Sequence, residues 1–201
     1  TLTARMHPRQ ALAALIAALQ AKGGEIVIGE GEARGPEVWA TGATGLSALS
    51  RGRNRPVGAA VKGQAALLRF DAASRPQIFT DGLHIIPHGD GTVAIGSTSE
   101  REWDAPDSTD ARLEALIAKA RAALPVLGTA PAIDRWAGLR PRARSRAPML
   151  GSWPDRPGHF VANGGFKIGF GVAPKLAETL ADLVLDGRDM IPDAFRVEAS
   201  F

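Results

Sequence analysis

The chain has 201 residues, 45% of them hydrophobic and 22% charged, with a formal net charge of +3. That is enough for one domain or two small ones with a sizeable core, in the range of an ordinary globular protein. The absence of cysteine excludes a disulfide framework, a thiolate nucleophile and a cysteine-ligated metal. The four histidines, His7, His84, His88 and His159, are too scattered for metal-ligand spacing, so no metal is expected. No apolar run approaches the ~18 residues of a membrane span, and nothing follows the order of a signal peptide. The default expectation is a cytoplasmic protein that does not meet the membrane.

In chain order, Pro8 opens a helix where its missing N–H does no harm, and the pattern ends at Gly23-Gly24. Strands are predicted at Glu25–Gly29 and Glu37–Ala40. The glycine-rich exit Thr41-Gly-Ala-Thr-Gly45 leads to a short helix near Leu46–Leu49. Helix, strand, strand, glycine turn and helix is the grammar of an α/β layer. Further strands are predicted at Val57–Phe70, Gln77–Thr80, Leu83–Pro87 and Thr92–Gly96, with Gly89-Asp-Gly91 as a hairpin turn. A helix capped by Asp107 or Ser108 covers Ala111–Leu124. Strands near Ala132–Leu139, Pro148–Leu150 and Phe160–Ala162 follow. A last helix carries Leu176, Leu180, Leu183 and Val184 on one face.

The predicted class is α/β (α+β): a discontinuous α/β layer with an inserted mixed antiparallel sheet. Its segments are residues 1–56, the inserted sheet 57–150, and the return 151–201. The chain starts at Thr1 and enters a helix almost at once, which suggests a piece of something longer.

A dinucleotide-binding turn needs Gly-x-Gly-x-x-Gly after a strand and opening a helix. Three Gly-x-Gly pairs occur. Gly29/Gly31 has Arg34 in the third place, Gly169/Gly171 has Pro174, and Gly89/Gly91 has Ala94 but lies in a hairpin. None qualifies.

The segment with most chemical promise is Asn163-Gly-Gly-Phe-Lys-Ile-Gly-Phe-Gly171, between a strand and a helix. Such a turn points unsatisfied N–H groups and the positive end of the helix dipole at whatever docks there, suiting an anion or an electron-rich ring edge. The same residues also make a plain strand-to-helix turn, and the turn alone leaves both readings open. Arginines cluster at Arg51, Arg53 and Arg55, and at Arg140, Arg142, Arg144 and Arg146. Such clusters can track phosphates, but they lack interleaved aromatics. Solvated loops are expected at Arg142, Arg144 and Arg146, and nucleic acid is not an expected partner.

The order of motifs resembles the flavin-dependent amine oxidases of the D-amino-acid oxidase class, including glycine and sarcosine oxidases. The resemblance rests on Met6-His-Pro-Arg9 and its helix, Val38-Trp-Ala-Thr-Gly-Ala43, Val61-Lys-Gly-Gln64, and His84-Ile-Ile-Pro-His88. It continues through Ile95-Gly-Ser-Thr-Ser-Glu100, Trp136-Ala-Gly-Leu-Arg-Pro141 with Pro148–Gly151, and the Gly164–Gly171 turn. These segments stand in register over nearly the whole chain. Three departures are visible. Gly165 replaces the family's turn histidine, His84 replaces an aromatic, and the chain has no tyrosine for the substrate site.

By this resemblance the chain is the carboxyl-terminal two thirds of such an oxidase, lacking the first βαβ unit. A missing N-terminal βαβ segment or a partner chain is then expected. The cofactor implied is FAD and the substrate a small amine or amino acid, oxidised at its CH–NH bond by hydride transfer. Arg140 would grip the substrate carboxylate with its planar fork, and Lys167 would make a second contact. Thr41, Gly42 and Ala43, with Gly164, Gly165, Phe166, Lys167, Ile168 and Gly169, would bind the cofactor. No catalytic acid or base is assigned, since the chemistry belongs to the cofactor and the site's task is orientation. Without the motif Arg140 reads as a surface arginine, Lys167 as a solvated loop lysine, and the four tryptophans as core. The competing readings are a non-catalytic remnant of the fold, or the oxidase domain of a tRNA-modifying enzyme.

Overall fold

The computed structural model describes residues 4–201. The chain divides into two compact units. The first runs up to Glu32 and adds Gln64–Thr98 and Ser108–Ala137; the second comprises Ala33–Gly63, Ser99–Asp107 and Gly138–Phe201.

The first unit holds helix α1 (Pro8–Ala21), and later in the chain helix α3 (Ala111–Ala123) packed on a sheet. In order of sequence the sheet uses β2 (Gly58–Arg69), β3 (Ile78–Thr80), β4 (Leu83–Pro87), β5 (Thr92–Gly96) and β6 (Ala132–Ala143), arranged β3-β4-β5-β2-β6. β2 and β6 continue past the boundary into the second unit. The β3/β4, β4/β5 and β5/β2 pairs are antiparallel, with Ile85 opposite Ile95 and Leu68 opposite Val93. Alternation decides the faces. Ala66, Leu68, Leu83, Ile85, Val93 and Ile95 point to one side, where Leu113, Ile117 and Ala120 of α3 close the core.

The second unit has a three-stranded sheet, β1 (Glu37–Trp39), β7 (Met149–Ser152) and β8 (His159–Asn163), in the order β1-β8-β7. β1 and β8 are parallel, with Val38 opposite Phe160; β7 and β8 are antiparallel. Helices cover both faces. Val161 and Met149 face Leu46 and Leu49 of α2 (Gly42–Ser50). Leu150, Phe160 and Ala162 face Leu176, Leu180, Leu183 and Val184 of α4 (Gly169–Asp186). The mixed α/β class and the helical face of α4 agree with the sequence reading.

Two expectations are corrected. Glu25–Gly29 forms no strand: Ile28 is 98% exposed and Ile26 and Val27 are exposed beside it. An apolar run becomes a strand only where a neighbour pairs its backbone groups, and no described strand lies alongside. Helix α3 is capped by Asp110, not by Asp107 or Ser108: the Asp110 carboxylate accepts from the Arg112 N–H at 2.9 Å. The choice is set from elsewhere in the unit. The buried Gln64 donates from Nε2 to Asp110 Oδ1 and accepts the Asp110 N–H, both at 2.9 Å.

Candidate functional site

The two glycine-rich exits, 41–45 and 163–171, lie together in the second unit. Asn163, at the end of β8, is buried and donates from Nδ2 to the Gly42 carbonyl at 2.9 Å, while its Oδ1 accepts the Gly164 N–H at 2.7 Å. Gly45 must be glycine: a Cβ there would run into Thr41 Oγ1 and come within 2.8 Å of Asn163 Nδ2. Gly164 has a positive φ of 76°, and a Cβ on it would meet the Ala143 Cβ at 2.8 Å. Close packing explains Gly45, and the left-handed backbone together with close packing explains Gly164.

Together these segments floor a cleft of about 470 Å³, lined by Ala40, Gly42, Asn163, Gly164, Gly165, Phe166 and Gly169, with Ala173, Leu176 and Ala177 of α4 as one wall. The turn spends part of its hydrogen-bonding capacity on itself. Phe166 N–H donates to the Pro141 carbonyl and Ile168 N–H to that of Gly165, each at 3.0 Å. The donors the turn can still offer are the first-turn N–H groups of α4, which lack intrahelical acceptors.

The proposed cofactor residues therefore divide. Gly42, Gly164, Gly165, Phe166 and Gly169 line the cleft; Thr41, Ala43, Lys167 and Ile168 flank it. Lys167 is exposed, with its Nζ 5.6 Å from the Phe166 ring centre. Asn163, which ties the two segments, had no role in the sequence reading; its only signal was its place at the strand end before Gly164.

Arg140 is half-buried on β6. Its Nη1 donates to the Lys62 carbonyl at 3.4 Å, and its guanidinium lies where a side chain on Gly63 would stand. Burial holds its pKa below the ordinary arginine value, and the neighbouring Glu100 carboxylate pushes it back up. Lys62 and Glu100 are also buried and exchange both backbone hydrogen bonds at 2.9 Å. The Gly63 of the Lys-Gly-Gln motif thus makes room for the arginine of the Gly-Leu-Arg-Pro motif. Arg140 is not among the residues lining the glycine cleft, but its neighbour Pro141 is.

The spacing argument against a metal meets one spatial grouping. His7, His88 and Asp90 place their potential ligand atoms within 4.8 Å of one another. The same groups also make contacts within the chain. His7 Nδ1 accepts the Gln10 N–H as the cap of α1, and Nε2 is 3.3 Å from Asp90 Oδ2. His88 Nδ1 lies 3.2 Å from Thr92 Oγ1, which donates to Asp90 at 2.6 Å. His84 and His88 line a separate apolar cavity of about 350 Å³ with Trp136. Trp153 is in the core, and Trp39 packs edge-on against it at 5.5 Å.

The comparisons with known proteins bear on this arrangement. The family described as FAD dependent oxidoreductase matches residues 1–183. The chain belongs to the FAD dependent oxidoreductase family. It is 36% identical over 177 residues to a glycine oxidase of Pseudomonas aeruginosa, covering 85% of this chain and 48% of that protein. The crystal structure of glycine oxidase from Geobacillus kaustophilus superposes with a TM-score of 0.70 at 26% identity, over 80% of this chain and 44% of the other. Iminodiacetate oxidase from Chelativorans sp. BNC1 shares the fold, with a TM-score of 0.72 at 23% identity over 84% and 47% of the two chains. The chain spans about half the length of the curated relatives it matches.

FAD is the cofactor of this family, and the cleft residues fit a flavin ring. Gly169 and Gly171 have open space where a Cβ would project, so no side chain obstructs the helix N-terminus. The donor set of backbone N–H groups suits a ring edge that gains negative charge on reduction. Among the described residues, no helix is long and apolar enough to cross a membrane.

Proposed function

We propose that this chain forms the flavin-ring and substrate part of an FAD-dependent oxidoreductase that oxidises the CH–NH bond of an amino acid or secondary amine. The observation that supports it best is the cleft in which Gly42 and the Gly164–Gly169 turn meet at the start of α4. Thr41, Gly42 and Ala43 would let the dinucleotide approach the backbone, and Gly165, Phe166, Lys167, Ile168 and Gly169 would surround the pyrimidine edge. FAD, when bound, supplies the acceptor for the hydride leaving the substrate Cα. The chain's own residues orient the amine for that transfer. The Arg140 fork takes the substrate carboxylate, Lys167 adds a second positive charge, and alignment replaces a dedicated general base.

The division into 1–56, 57–150 and 151–201 belongs to this reading, as does a Gly-x-Gly-x-x-Gly βαβ unit supplied by further sequence or a partner chain. The exposed Leu12, Leu15 and Leu19 of α1 and the exposed Ile26–Ile28 run support such a neighbour. A cytoplasmic location is part of the proposal and is tested by cell fractionation.

The test is anaerobic mixing of the FAD-loaded full-length protein with glycine, sarcosine, iminodiacetate or D-alanine. Bleaching of the flavin absorbance by at least one is expected. Arg140→Gln should raise the amine concentration needed roughly ten- to hundred-fold, the scale of a charged hydrogen-bonded contact of about 1.5–3 kcal/mol. Bleaching that is indifferent to Arg140, or no bleaching by any amine, would contradict the reading.

A further inference from the structure

A different part of the second unit holds a second cavity. Arg142, Arg144 and Arg146 were expected in solvent, but Arg142 and Arg144 are half-buried and only Arg146 is exposed. All three line one cavity of about 330 Å³, closed on the other side by Pro56, Gly58 and Ala59 at the entry to β2.

Three observations set this cavity apart. First, its lining contains no carboxylate, and none of the three arginines forms an ion pair with a described residue. Arginines elsewhere on the chain do: Arg9 with Asp134, Arg135 with Glu114, Arg188 with Asp182 and Arg196 with Asp189. Second, Nη1 of Arg144 is buried and has no hydrogen-bond partner among the described residues. A buried guanidinium nitrogen without an acceptor is costly, and an anion in the cavity would relieve it. Third, the backbone under the arginines is fixed. Arg144 N–H donates to the Val57 carbonyl at 2.8 Å and Arg146 N–H to that of Ala143 at 3.1 Å. A Cβ on Gly58 would stand 2.5 Å from the Arg142 carbonyl oxygen, so the two segments are in close contact.

We infer that Arg142, Arg144 and Arg146 form an anion site for a phosphate group carried by a small molecule. A guanidinium matches phosphate oxygens with paired donors, and three of them offer more donors than a single carboxylate has oxygens to use. The same chemistry is found in a free phosphate ester and in the diphosphate of a dinucleotide, and the experiment separates the two sources.

The probe is inorganic phosphate, titrated calorimetrically into the full-length apoprotein at low ionic strength. Saturable binding at one site per chain is expected, with acetate binding at least ten-fold more weakly. Arg144→Gln should weaken phosphate at least ten-fold, while Arg188→Gln, which removes the same charge outside the cavity, should change it less than two-fold. Arg142→Gln is the second variant, should circular dichroism show Arg144→Gln unfolded. With the site saturated by phosphate, FAD and then riboflavin, which lacks phosphate, are added. Displacement by FAD alone assigns the site to the dinucleotide's diphosphate, and phosphate binding that survives FAD assigns it to a separate phosphate ester; either supports the site. Non-saturable binding, equal binding of acetate, or equal weakening by Arg188→Gln would overturn it.

Discussion

Gln64 shows how one side chain can organise a unit. It is fully buried, its amide closes a two-way pair with Asp110 at the start of α3, and its backbone N–H donates to the Thr98 hydroxyl oxygen at 2.8 Å. Gln64→Ala should lower the unfolding free energy by about 1–3 kcal/mol, the cost of leaving buried polar groups without partners, measured by urea denaturation. Gly63 next to it plays a different part. Gly63→Ala should push the Arg140 guanidinium off its seat and raise KM for carboxylate-bearing amines in the FAD-loaded protein with little loss of stability. His88 sets a pH dependence. Burial and the neighbouring His7 and Arg5 lower its pKa from the ordinary 6.5, with Asp90 opposing. The unfolded chain therefore takes up the proton at a higher pH than the folded one. Its contribution to stability is present above about pH 6.5 and is lost as pH falls through the lowered value. Melting temperature should drop on acidification from pH 7.5 to 5.5, and His88→Asn should flatten that slope.

At the scale of elements, the sequence was most legible where periodicity and packing agree. β4 and β5 run from Leu83 to Pro87 and Thr92 to Gly96 because their alternation matches a sheet with one face on α3. Helix α4 was readable from Leu176, Leu180, Leu183 and Val184, which do pack on β7 and β8. Glu25–Gly29 has an equally good strand pattern, but pairing is a property of neighbours and the segment has none among the described residues. The α3 cap was misread for the same reason: Asp110 is selected by Gln64, forty-six positions away. The site was legible as motifs but not as contacts. Nothing in the spacing of Gly42 and Asn163 announces that one bonds the other, nor that Gly63 exists to seat Arg140. Leu180→Ala, which empties the α4 face, should cost about 2–5 kcal/mol, read as a shift in the urea midpoint.

At the scale of the whole molecule, the α/β layer of the second unit and the sheet of the first have the organisation of the FAD dependent oxidoreductase family, in a chain about half the length of its curated relatives. The leucines Leu12, Leu15 and Leu19 of α1 and the Ile26–Ile28 segment are exposed. The central claim is that the cleft between the glycine segments and α4 holds the flavin ring. The most direct measurement is titration of the full-length protein with FAD, followed by flavin fluorescence, beside the variant Ala173→Trp. Ala173 is an exposed cleft-wall residue, so the indole would fill the cleft without disturbing the core. Saturable quenching at one FAD per chain is expected, lost in Ala173→Trp while the variant's circular dichroism is unchanged. No saturable quenching, or quenching that Ala173→Trp leaves intact, would contradict the central claim.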